Sequence, residues 1–138
     1  MIDFNQRQRL LLALLVINVI ATGFHYADNF FAFSNYPAPA WMLPHQVYEA
    51  WLVLTPFAIV GYILYTKKLF WIAYLCLGVY SLTSLGGVAH YFFGSIANFS
   101  LKMHTFIWLE QLAGYSLVGF IVWSALLSKE WRHEKYLL

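Results

Sequence analysis

Four antiparallel transmembrane helices in an all-α integral membrane protein are predicted from three properties of this sequence. They are its apolar composition, its four long apolar stretches and its one-sided distribution of Lys and Arg. Of 138 residues, 62% are hydrophobic and only 10% charged, and the mean hydropathy is +0.64. A water-soluble chain of this length would carry far more charge. The length allows one domain, 1–138. The single cysteine, Cys76, lies within an apolar stretch, which excludes an internal disulfide and a cysteine-built zinc site and leaves packing as its role.

Crossing the hydrocarbon core takes about 20 predominantly apolar residues in helical form. Stretches 10–31, 47–65, 69–93 and 105–127 meet that requirement. The first follows Arg7 and Arg9, as a signal peptide would, but its apolar run is too long for a signal core, so it reads as a retained helix. In the second, Pro56 frees a backbone carbonyl and predicts a kink. Only 66–68 separate the second stretch from the third, so these two must be antiparallel neighbours. The other two connections are longer and carry Pro37, Pro39, Pro44, Gly94 and Ser95. Trp41, Trp71, Trp108, Trp123 and Trp131 fall near span ends, where aromatic side chains anchor a helix at the interface.

The cations set the orientation. Arg7, Arg9, Lys67, Lys68, Lys129, Arg132 and Lys135 fall on one side and Lys102 alone on the other. The positive-inside rule then places both termini in the cytoplasm. No basic patch interleaved with aromatics is present, so nucleic acid is not a partner. Asn98-Phe99-Ser100 forms a glycosylation sequon on the outer side, a triplet common by chance.

Polar chemistry gathers toward the outer face. His25 and Asp28 end the first span, His45 and Glu49 begin the second, His90 closes the third, and His104 and Glu110 begin the fourth. Helical phase points part of this layer inward: Asn18, Thr22 and His25 recur at i, i+4 and i+7, with Asp28 or Asn29 continuing the stripe. Thr83, Gly87 and His90 repeat the pattern on the third span. Glu110 lies roughly 7–8 Å inside its span, where a carboxylate needs a cavity or a partner. His25, Glu49, His90 and Glu110 are expected to share one interior space. His104 and Asp28 could instead snorkel or join helices. Gly86, Gly87, Gly114 and Gly119 read as close helix packing.

The run Trp41-Met-Leu-Pro-His45-Gln-Val-Tyr-Glu49-Ala-Trp51-Leu-Val-Leu resembles the EXPERA superfamily, which includes the emopamil-binding sterol isomerase and the sigma-two receptor. His-x-x-x-Glu, a small residue, Trp and an aliphatic run look like the isomerase's helix. Pro39-Ala40-Trp41 and Pro56 look more like the receptor branch. The resemblance covers about twenty residues. It implies a membrane-facing cavity for a sterol or cationic amphiphile, with His45 and Glu49 as the acid/base pair and His25 and Asp28 as ligand contacts. His25 and Asp28 are more closely spaced than the receptor type, and the isomerase's lid and second catalytic glutamate have no counterpart that can be aligned.

The residues read coherently without the family. Shifting a double bond in an apolar molecule needs a proton donor, an acceptor and stabilisation of a carbocation. His45, Glu49 and Glu110 could move the protons, and Trp51 or Trp108 could stabilise the cation through their faces. His25, Asp28 and His90 complete the expected binding set. The same groups could hold an amine without chemistry. On this reading the partner is a membrane lipid or a small apolar ligand and no cofactor is needed, while association of copies stays open. The alternatives are a transition-metal or haem centre on His25, Glu49, His90 and Glu110, and a structural subunit whose polar layer fixes helix register. A relay across the membrane is not expected, because the cytoplasmic halves carry few ionisable groups.

Overall fold

The structure, a computed structural model, describes residues 3–132. Lys135 and the chain ends, on which part of the orientation argument rests, lie outside the described residues. Within them the chain is helical and has no strand. The long helices are α1 (Phe4–Phe31), α2 (Pro44–Thr66), α3 (Phe70–Leu85) and α4 (Leu101–Val122), the last continuing as a π-helical turn, Trp123–Leu127. Three are long and apolar enough to cross a membrane: Phe4–Phe31, Pro44–Thr66 and Leu101–Leu127.

The helix starts follow from local chemistry. The Asp3 carboxylate accepts from the Gln6 amide while the Gln6 side chain accepts from the Asp3 amide, a reciprocal cap for α1. α2 begins with Pro44 in its first turn, where a missing amide proton costs nothing, and Gln46 reaches back to the Leu43 amide. The Ser100 hydroxyl accepts from the Met103 amide to start α4. α2 continues through Pro56 as one helix.

α3 departs from the expected third span, 69–93. It ends at Leu85 with 16 residues, about 24 Å of rise against a core of about 30 Å, and a 3₁₀ segment takes over at Gly87–Phe92. Gly86 and Gly87 weaken the α-helix there. His90 then fixes the tighter winding by donating from Nδ1 to the Pro37 carbonyl at 2.9 Å.

Each helix contacts two principal neighbours, α1 with α2 and α4, and α3 with α2 and α4. Neighbours run in opposite directions. Phe4, early in α1, stacks on Tyr65, late in α2, while Phe30 meets Tyr48. His25 meets Glu110 on α4, whereas Arg7 lies over Trp123. Ser84 packs against Gly114, whereas Tyr74 bonds Ser124. Leu11, Leu15, Leu77 and Leu117 fill the middle of the interior with little or no exposure.

Two glycines set the helix spacing. A Cβ on Gly61 would come within 2.9 Å of Leu77, and one on Gly114 within 2.7 Å of Ser84. Gly119 has open space around it, so it is not the packing residue expected from sequence.

Candidate functional site

The α1 stripe goes inward. Asn18, Thr22, His25 and Asn29 are all buried, so Asn29 rather than Asp28 continues it. Trp51 on α2 donates its indole proton to the Thr22 hydroxyl at 2.9 Å, and Tyr26 donates to the Thr83 carbonyl at 3.1 Å. These bonds hold α1 against α2 and α3 on either side of His25.

At the centre, His25 Nδ1 bonds the Glu110 carboxylate through Oε2. The two residues are 2% and 0% exposed, so the pair is withdrawn from any outside solvent. Nitrogen and oxygen in this contact must have a proton between them. The outer atoms of the pair, His25 Nε2 and Glu110 Oε1, have no partner in the chain. Gly87 faces them: a Cβ there would lie 3.4 Å from Glu110 Oε1 and 3.5 Å from His25 Cε1. Gly87 thus packs closely on His25 of α1 and Glu110 of α4.

Gly87, His25 and Glu110 line a cavity of about 170 Å³ between α1, α2 and the 3₁₀ segment, with Glu110 at its α4 wall. Gln46, Val47 and Ala50 form the α2 side, and Met42 and Phe93 border it. His90 also lines it, its ring centroid 5.5 Å from that of His25. His90 donates from Nδ1 to Pro37 and accepts at Nε2 from the Asn29 amide, 3.0 Å away, so both ring nitrogens are already engaged.

The remaining residues expected at the site lie elsewhere. Glu49 and His45 are exposed. Glu49 falls two residues after buried Val47, about 200° around the helix, and so points away from the interior. The same phase puts Trp108, two residues before Glu110, on the outer surface at 51% exposure. The common space expected for four residues therefore gathers His25, His90 and Glu110 and leaves out Glu49. Trp51 is half-buried against α1 rather than in the cavity.

Asp28 turns to a neighbouring polar hollow of about 260 Å³ beside Asn35, Asn98 and Lys102. Its carboxylate accepts from Lys102 at 2.6 Å and from the Tyr36 hydroxyl at 2.7 Å. Burial, reinforced by that bond, pushes the Tyr36 hydroxyl well above the ordinary tyrosine range, so it stays a donor. His104 Nδ1 and the Tyr91 hydroxyl share a hydrogen bond of 2.7 Å within an aromatic cluster with Phe99. Asp28 and His104 thus both join segments.

The four residues of the metal alternative do not converge, and among the described residues no three His, Cys, Asp or Glu side chains form a metal-holding group.

A second buried polar centre has no counterpart in the sequence reading. Glu130, 5% exposed, accepts from Arg7, from Tyr65 at 2.6 Å and from Ser124 at 2.8 Å, and Ser124 also bonds Tyr74. The π-helical turn places Ser124 there. Polar chemistry therefore occupies both ends of the interior.

Comparisons with protein-family models, with curated proteins and with solved structures returned no match.

Proposed function

We propose that the chain is an integral membrane protein whose four helices form an antiparallel transmembrane bundle with cytoplasmic termini. In this reading it binds the polar head of a lipid-like amphiphile in the cavity at His25 and Glu110. One observation carries the reading: a buried pair whose Nε2 and Oε1 atoms have no partner in the chain lines a cavity together with Gly87. Buried polar atoms within a membrane call for a partner, and here a ligand can supply it.

Size and lining narrow the occupant. Cavities that enclose drug-sized ligands run to about 300–1,000 Å³. At about 170 Å³ this one suits a head group, with the apolar remainder lying outside it. Phe93 and Ala50, both exposed, border it and offer an apolar exit toward lipid. A hydroxyl could accept from one atom of the pair and donate to the other, and an amine could donate to Glu110. If the EXPERA likeness holds, the acid/base role it assigns to His45 and Glu49 would fall to His25 and Glu110.

The test uses the full chain in lipid nanodiscs with two probes, a long-chain primary amine and the alcohol of the same chain length. Glu110→Gln should weaken at least one probe about tenfold, roughly 1.4 kcal/mol, while Glu49→Gln leaves both within twofold. Failure of both probes to bind the wild-type chain, or equal losses from the two substitutions, would sink the reading.

A further inference from the structure

Below the cavity the polar stripe does not stop. Asn18 and Gln111 are 0% and 1% exposed, and Asn18 Nδ2 and Gln111 Oε1 have no partner in the chain. Asn18 lies seven residues before His25, about 10 Å deeper along α1, and its carbonyl side is held by the Ser84 hydroxyl at 2.7 Å. From Asn29 to Asn18 the buried stripe covers about 16 Å, half the depth of a hydrocarbon core.

The stripe has a definite lower end. One turn beyond Asn18, α1 presents Leu15 and then Leu11, and Leu77 and Leu117 close the same level from α3 and α4, none more than 5% exposed. Unpartnered amide atoms thus stand above four leucines, and Tyr80, packed in the same cluster as the leucines, adds a buried hydroxyl without a partner in the chain. Buried water settles where two to four polar groups receive it, and apolar space stays dry.

We infer that the interior between the His25–Glu110 pair and Asn18 is a water-binding column, continuous with the cavity and closed by the leucine layer. Its ligand is water, held by the Asn18 and Gln111 amides with the Thr22 and Ser84 hydroxyls beside them. The column gives the buried pair exchangeable protons from the cavity face alone, because the leucines separate it from the Glu130 centre. The inference does not depend on whether an amphiphile occupies the cavity.

Solid-state NMR of the unmodified full chain in proteoliposomes tests it, with magnetisation started on water and detected on the protein. The Asn18 and Gln111 side-chain amides should fill as fast as the His25 ring and several-fold faster than the Leu11 and Leu77 methyls. Amides as slow as the leucine methyls would show a dry column. Leucine methyls as fast as the amides would show water crossing the layer. Either result would overturn the inference.

Discussion

At the scale of single residues, the site turns on atoms without partners and on the glycine that faces them. An Ala at Gly87 places its Cβ at 3.4 Å from Glu110, ordinary contact, whereas Val adds methyl groups to the space between Glu110 and His25. Gly87→Val should therefore weaken probe binding about tenfold or more, and Gly87→Ala much less, measured by titration in nanodiscs. Similar losses for both would locate the effect in the backbone. Helical phase made the inward course of Asn18, Thr22 and His25 legible, since those positions share one face. Glu49 was misplaced for the same physical reason in reverse: spacing within a helix fixes residues relative to each other, and only the partner helices decide which face is interior. Glu130 was hidden because nothing in an exposed-looking basic segment shows that a π-helical turn will aim Ser124 at it. Its carboxylate is Arg7's buried partner, so Glu130→Ala should cost roughly 3 kcal/mol. Arg7→Met with Glu130→Leu together should recover much of that in denaturant unfolding, and a fully additive double variant would argue against a paired role.

At the scale of elements, apolar length located all four helices, but it could not see where α3 would end. Hydropathy continues past Leu85 into Val88 and Phe92, whereas the winding changes at Gly86 because glycine loses more entropy in an α-helix than any other ordinary residue. The bond from His90 to Pro37, on a distant loop, is a tertiary effect that no local pattern reports. The chain after the π-helical turn offers a direct measurement. Lys129 has φ of 49°, in the left-handed region, and is exposed. A side chain there costs about 1–2 kcal/mol. Lys129→Gly should accordingly stabilise the protein by about 1 kcal/mol, read as a higher Tm in detergent, while glycine at Lys67, which keeps negative φ, should not. A fall in Tm for Lys129→Gly would mean that the Lys129 side chain contributes contacts outweighing the strain.

At the scale of the whole molecule, two buried polar centres lie on opposite sides of a leucine layer. His25 and Glu110 stand above it with unpartnered atoms, and Arg7 and Glu130 stand below it with Tyr65 and Ser124 satisfying the carboxylate. The first arrangement suits exchange with a ligand and the second suits fastening helix ends, a division that the charge pattern mirrors. Among the described residues, six of the seven Lys and Arg share the side of Glu130, and Lys102 alone stands near Asp28. The proposed orientation places the cavity at the outer face and the Glu130 centre at the cytoplasmic face. Cys76 is buried and is the chain's one cysteine, so the native protein gives little background to thiol labelling. New cysteines at Asn98 and at Lys129, both exposed, should react with a membrane-impermeant maleimide from opposite sides of intact cells, Asn98→Cys from outside and Lys129→Cys only after lysis. Labelling of both from outside would remove the transmembrane arrangement. Labelling of Lys129→Cys alone would invert it, and the cavity would then face the cytoplasm.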